Sequence, residues 1–134
     1  MPVEISGHIA YVNWEEKALG STETYPRIAA ATTVNTFSGG IEAAETACAL
    51  TITYVAEKTG TFTGMEVLTG SLDGREGTFV VEQRGTFDAD GSVHGTFEVV
   101  PGSATGALAG LLGTGSFTYR GESPYPYRLG YELG

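Results

Sequence analysis

The sequence predicts an all-β protein, a single antiparallel barrel of eight strands in up-and-down order. Three observations carry this prediction: polarity that alternates with a period of two, short links with turn chemistry, and 20 glycines among 134 residues. Glycine is about twice its usual share of roughly 7%. It separates runs of Thr, Val, Ile, Phe and Tyr, which suit a pleated strand. Because eight strands can close on themselves, such a sheet would leave no edge open.

The strands differ in how clearly they alternate. The C-terminal segment is clearest, since Tyr127 and Leu129 share one face and Arg128 lies on the other. Segment 41–55 is ambiguous, because its alanines favour a helix while the run 51–55 favours a strand; we predict a strand. The eight predicted strands are 5–14, 27–37, 41–55, 61–72, 77–87, 92–100, 113–120 and 125–133.

Short links predict that neighbouring strands pair antiparallel, because a parallel crossover needs a dozen or more residues. Asp73-Gly74 is the strongest of these hairpin signals. Links rich in glycine and polar residues follow the second, third and fifth strands. Two connections, 15–26 and 101–112, are longer, and we expect one helical turn within 104–110.

A Gly-Thr-Phe tripeptide recurs along the predicted strands. We interpret its glycine as a point where a strand coils tightly at a barrel corner. The phenylalanine two positions later points to the same side and is expected to fill the interior. The copies are 60–62, 77–79, 85–87 and 95–97, with Gly115-Ser116-Phe117 as a variant.

Charge and composition exclude several classes of function. A net charge of −9 argues against nucleic acid as a partner, because phosphates must be neutralised by clustered Lys and Arg. No apolar run approaches the roughly 18 residues of a membrane span. One cysteine excludes an internal disulfide and a four-cysteine zinc site. The first residues lack the basic and apolar regions of a secretory signal, so we expect a cytoplasmic protein.

Two polar residues share a strand phase with apolar neighbours. Gln83 alternates with Val81, and Glu66 alternates with Leu68. The competing phase would turn Val67 inward and Glu66 to solvent, and both options stay open for Glu66. A desolvated carboxyl has a raised pKa that suits acid–base chemistry. Glu66 is therefore the candidate catalytic residue and Gln83 a candidate ligand contact.

Aromatic residues could line a small-molecule pocket, because they combine large apolar surface with hydroxyl and indole handles. The alternatives are plain core packing or, for the C-terminal tyrosines, a subunit interface. Cys48 shares a phase with Leu50 and is expected in the core. His8 and His94 are not expected to converge on a metal. The candidate pocket aromatics are Trp14, Tyr54, Phe79, Phe97 and Tyr127.

Several segments resemble a bacterial family of uncharacterised small proteins that is common in actinobacteria and is grouped with the allene-oxide-cyclase-like barrels. The resemblance rests on Trp14-Glu15-Glu16 and on segments 36–42, 81–87, 99–106, 108–111 and 113–115. It implies a barrel of the calycin or allene-oxide-cyclase-like type, often oligomeric. It implies no reaction.

Three functions follow as hypotheses. The first is a protein that binds a small hydrophobic molecule inside the barrel without turnover. The second is a cyclase or isomerase acting on a largely apolar substrate, in which Glu66 moves a proton. The third is a scaffold with a filled barrel. We expect a homo-oligomer, a dimer or trimer, with no cofactor, metal, nucleic acid or membrane as a partner.

Overall fold

The computed structural model describes residues 2–134, which form a closed barrel of eight antiparallel strands. Each strand pairs with its neighbours in sequence, and the last strand returns to pair with the first. The predicted all-β, eight-stranded up-and-down barrel is therefore confirmed. The strands are β1 (Val3–Leu19), β2 (Arg27–Gly39), β3 (Ile41–Tyr54), β4 (Gly60–Leu72), β5 (Arg75–Phe87), β6 (Val93–Val99), β7 (Leu111–Tyr119) and β8 (Tyr125–Leu133).

The two ends of the barrel are built differently. At one end, called the closed end, the β2–β3 and β4–β5 turns are tight and the β6–β7 connection folds across the opening. That connection contains the expected helical turn, a 3-10 turn at Gly106–Leu108, and it buries Leu108 completely. Its Gly110 carbonyl accepts a hydrogen bond of 3.3 Å from the Gly134 N–H. The other four links lie at the opposite, open end.

The half of the barrel next to the closed end is filled with large side chains. Tyr127 crosses this half, where its hydroxyl accepts a 2.8 Å hydrogen bond from the Ile41 N–H and donates a 3.0 Å hydrogen bond to the Ser38 carbonyl. Burial of large apolar side chains is the main favourable contribution to folding. The members of this core include Ile41, Leu68, Leu72, Phe79, Val99, Leu108, Leu111 and Leu129.

Four of the five copies of the tripeptide pair with one another across strands, while 77–79 pairs with 68–70. Segment 60–62 lies antiparallel to 85–87, so that Gly60 faces Phe87 and Phe62 faces Gly85. Segments 95–97 and 115–117 repeat the arrangement. A Cβ on Gly95 would lie 2.2 Å from Cζ of Phe117. The phenylalanines do enter the barrel, as expected, and the glycines leave the room that the opposite rings occupy.

Every strand except β1 lies within two residues of its predicted bounds, and β1 departs furthest. β1 continues to Leu19 and pairs with β2 as far as Ile28, so residues 15–19 of the predicted 15–26 connection are strand. Their side chains are exposed on both faces, which removes the alternation that would have revealed them. β7 begins at Leu111, two residues earlier than predicted. Segment 41–55 is a strand, as predicted, and not a helix.

One stretch of the wall lacks backbone pairing on one side. β1 pairs with β8 only from Val3 to Ile9. Beyond Ile9 the edge of β1 that faces β8 has no strand partner among residues 2–134. The gap is bridged by side chains, since the hydroxyls of Tyr11 and Tyr119 lie 3.2 Å apart and both rings pack against Tyr125. We call this stretch the β1–β8 seam.

No helix in the described part of the chain has the length and apolar character needed to cross a membrane.

Candidate ligand-binding site

A cavity of ≈ 580 Å³ occupies the half of the barrel next to the open end. Small-molecule sites typically measure about 300–1,000 Å³ and are mostly apolar. The cavity reaches the links at the open end, where exposed residues such as Lys58 and Ala89 border it. Its apolar walls include Trp14, Leu50, Tyr54, Phe62, Val93 and Phe117.

The mouth of the cavity is held by a small polar cluster. The indole N–H of Trp14 donates a hydrogen bond of 3.2 Å to one carboxylate oxygen of Glu16, and the Tyr54 hydroxyl donates to the other. The guanidinium of Arg27 lies 5.2 Å from the centre of the Tyr54 ring, a cation–π contact. Burial, together with the hydrogen bond to Glu16, raises the pKa of Tyr54 to about 12. Tyr54 therefore stays neutral and forms a fixed wall of the mouth.

The floor of the cavity is polar. Five inward-facing residues from β2, β3, β4 and β5 form this polar floor: Asn35, Thr46, Cys48, Glu66 and Gln83. Glu66 is at its centre. Its Oε2 accepts a 2.7 Å hydrogen bond from Asn35 Nδ2 and is also bonded to Thr46 Oγ1, while Oε1 accepts a 3.3 Å hydrogen bond from Gln83 Nε2. Gln83 Nε2 also lies 3.2 Å from the Cys48 sulfur.

The carboxyl of Glu66 has no cationic partner in the described part of the chain. Burial raises its pKa above the ordinary value of 4.5, and the hydrogen bonds from Thr46, Asn35 and Gln83 offset part of that rise. Burial and the nearby Glu66 raise the pKa of the Cys48 thiol to about 12. Because the thiolate is the nucleophilic form, Cys48 is an inert core residue at neutral pH.

A second space of ≈ 20 Å³ lies beneath the polar floor, between it and the filled core. This volume suffices for about one water molecule. Glu66 borders this small space but not the large cavity, whereas Asn35 and Gln83 border both. The two amides therefore separate the Glu66 carboxyl from the large cavity.

The structure brings together some of the predicted site residues and separates others. Glu66 and Gln83 both face the interior. Of the two orientations that the sequence left open for Glu66, the inward one is therefore observed. Trp14 and Tyr54 line the large cavity, and Phe97 borders only the small space. Phe79 and Tyr127 border neither, because they belong to the filled core. They are not part of the site described here.

His8 and His94 are both exposed, on the outer face of the barrel. Within residues 2–134, no three side chains of His, Cys, Asp or Glu are grouped so that they could hold a metal ion.

Sequence reasoning missed two members of the polar floor. Asn35 shares its phase with Ala31 and Phe37, so the alternation within 27–37 could have identified it. Thr46 gave no such signal. A bulge at Glu45, with φ of 54°, shifts the phase of β3, so that both Ala43 and Thr46 face inward.

Comparison with known proteins places the chain in a family. Residues 5–131 match the model of the family described as "Protein of unknown function (DUF3224)", and the chain belongs to that family. The fold is similar to that of a crystal structure of a DUF3224-family protein of unknown function from Shewanella oneidensis, with a TM-score of 0.76 and 22% sequence identity. The similarity covers 100% of this chain and 99% of that one. No curated protein matches the chain.

Proposed function

We propose that this protein binds one small, largely apolar molecule in the open half of its barrel and releases it chemically unchanged. The observation that carries the proposal is the ≈ 580 Å³ cavity above the polar floor. Its walls would stabilise a ligand by about 25 cal/mol for each Å² of apolar surface removed from water. The polar floor would orient the ligand, as a few polar groups do in most small-molecule sites.

The cavity also argues against a purely structural role. Protein interiors are normally packed as densely as organic crystals, and unfilled space forfeits dispersion contacts. In the closed half of this barrel, Leu72, Leu108 and Leu129 are fully buried. A barrel that served only as a scaffold would gain stability from the same packing in its open half.

The enzyme alternative, a cyclase or isomerase, follows from the resemblance to the allene-oxide-cyclase-like barrels, which stays a prediction. Its support is the raised pKa of Glu66. Two contacts favour binding over turnover. Both oxygens of Glu66 already accept hydrogen bonds, and the amides of Asn35 and Gln83 lie between Glu66 and the cavity. A general acid needs direct or water-mediated reach to its substrate.

The first experiment is a search for the bound molecule. Native mass spectrometry of the freshly purified protein is expected to show an added small-molecule mass that disappears on denaturation. A titration with the neutral apolar dye N-phenyl-1-naphthylamine then measures binding directly. Trp14 is the only tryptophan and lies at the cavity wall, so its fluorescence reports on the site.

A matched pair of variants tests where the dye binds. Leu50→Phe combined with Val93→Phe adds two rings inside the cavity and is expected to weaken dye binding by about tenfold or more. Thr61→Phe combined with Thr63→Phe adds the same rings to the exposed outer face of β4 and should leave binding unchanged. Equal binding by both variants would place the dye outside the cavity and contradict the proposal.

A self-association proposal has separate support. Met65 and Val67 occupy alternate positions on the outer face of β4, where they are 49% and 47% exposed. Exposed apolar groups of this kind occur at subunit contacts. We expect a dimer or trimer of the chain. Light scattering coupled to size-exclusion chromatography measures the mass in solution, and a monomeric mass would refute this expectation.

A further inference from the structure

Glu66 holds the two amides of the polar floor in one orientation. A side-chain amide has a donor end, the NH₂ group, and an acceptor end, the carbonyl oxygen. Asn35 Nδ2 donates to one oxygen of Glu66 at 2.7 Å, and Gln83 Nε2 donates to the other at 3.3 Å. Both donor ends therefore face the carboxyl, and both carbonyl oxygens point away from it.

This orientation is compatible with either protonation state of Glu66. As a carboxylate it only accepts hydrogen bonds, from Asn35, Thr46 and Gln83. As a neutral acid it donates its proton to Thr46 Oγ1. The Thr46 hydroxyl then donates to the Asn35 backbone carbonyl, which lies 3.2 Å away. The amide nitrogens face Glu66 in both cases.

The two carbonyl oxygens of the floor are left without partners. Asn35 is 5% exposed, and its Oδ1 is buried with no hydrogen-bond partner in the described part of the chain. The Gln83 oxygen likewise accepts no hydrogen bond from residues 2–134. Asn35 and Gln83 both border the large cavity. The Asn35 oxygen is fully enclosed, so the Gln83 oxygen is the acceptor that a molecule in the cavity can reach. Because this oxygen lacks a donor, the floor is complementary to a donor brought by a ligand.

From this arrangement we infer that the ligand is a neutral, largely apolar alcohol or phenol, bound with its hydroxyl against the floor and its apolar body toward the mouth. The inference rests on the proposed function and names the class of ligand for the same site. Gln83 is the binding residue. Glu66 is a positioning residue that acts through Gln83, which accounts for a buried carboxyl that does not border the large cavity itself.

The test compares two probes of equal size on the wild-type protein. 1-Decanol carries a hydroxyl donor, and 1-methoxynonane has the same number of heavy atoms but only an acceptor oxygen. Each displaces bound N-phenyl-1-naphthylamine. The alcohol is expected to bind at least about tenfold more tightly than the ether, because the ether leaves the Gln83 carbonyl oxygen unpaired.

The outcomes separate this inference from the proposed function. Equal affinities for the two probes, or a preference for the ether, would overturn the inference and leave the binding function in place. Failure of the dye and both probes to bind would overturn the binding function itself. If decylamine bound more tightly than decanol, and Glu66→Gln removed that preference, the floor would be a site for a cation. That result would overturn the inference.

Variants test the positioning role of Glu66. In Glu66→Gln the new NH₂ group needs an acceptor, so one neighbouring amide turns its oxygen inward and presents N–H groups to the cavity. The alcohol-to-ether ratio is expected to fall several-fold. Thr33→Val is the matched control, since Thr33 also borders the cavity but its hydroxyl already donates to the Val12 carbonyl at 2.9 Å. An unchanged ratio in a folded Glu66→Gln protein would refute the positioning role.

Discussion

The closed and open halves of the barrel are built from the same strands, yet one is filled and the other is hollow. The difference lies in the size of the inward side chains. Toward the closed end, β2 and β3 turn Phe37 and Ile41 inward; toward the open end, β2 turns Ala29, Ala31 and Thr33 inward. Ala29 and Ala31 pack with Ile52 and Phe62 in a small second cluster, and the cavity lies between Thr33 and the aromatic rings of the other strands. Side-chain volume, and not topology, therefore separates the filled half of the barrel from the hollow half.

The largest expected effect comes from truncating a side chain in the closed half. Leu68→Ala removes a side chain that is 1% exposed and should lower the free energy of unfolding by about 2–5 kcal/mol. Leu50→Ala at the cavity wall should cost about 1 kcal/mol or less, because its side chain already borders open space. Urea denaturation of both variants measures the difference, and equal losses would break the comparison of the two halves.

The paired tripeptides predict a smaller loss. Gly95→Ala places a methyl group against the Phe117 ring and should destabilise the protein by about 1–3 kcal/mol through overpacking. Thr96→Ala, on the exposed face of the next position, should change stability by less than about 0.5 kcal/mol. Thermal unfolding followed by circular dichroism compares the two. A neutral Gly95→Ala variant would show that the ring moves freely and would refute the packing role of the glycine.

The polar floor makes stability depend on pH. The folded pKa of Glu66 lies above its ordinary value of 4.5, so the folded state holds its proton more tightly than the unfolded chain does. Stability from this group is complete below that ordinary value and is lost as pH rises through the folded pKa. Glu66→Gln cannot titrate and should show a smaller decline on the alkaline side. Urea midpoints measured from pH 4 to pH 9 test this, and parallel curves would exclude Glu66 as the cause.

The smallest expected effect concerns Cys48, which borders the cavity without being reactive. With a pKa raised to about 12, its thiol has very little thiolate at pH 8. Alkylation by iodoacetamide should be more than about tenfold slower in the native protein than in urea. Mass spectrometry of timed samples measures both rates. A native rate equal to the unfolded rate would mean that the polar floor is open to solvent.

Much of the fold followed from the sequence because alternation and turn chemistry are local signals. Eight strands, their order and the inward phase of Gln83 were all predicted from residues within a few positions of each other. The prediction failed where a strand does not have one polar face and one apolar face. Residues 15–19 are exposed on both sides, and the bulge at Glu45 changes the phase that would have identified Thr46.

The candidate site was only partly predictable, because cavities depend on contacts between distant strands. Phe79 and Gln83 share one phase of β5, but Phe79 lies in the filled half and Gln83 at the floor. The alternation of polar and apolar residues indicates which side chains face inward. It does not indicate how far along the barrel axis each residue lies. The pairing of glycines with rings likewise required the strand register.

The β1–β8 seam has a consequence for how solvent and solutes reach the cavity. Every other junction of the wall is a ladder of backbone hydrogen bonds, so its opening requires local unfolding. At the seam, separation of Tyr11 from Tyr119 breaks one side-chain hydrogen bond and leaves every ladder intact. We therefore expect the seam to open more readily than the paired parts of the wall, while the amides of β4 and β5 stay protected from exchange with water.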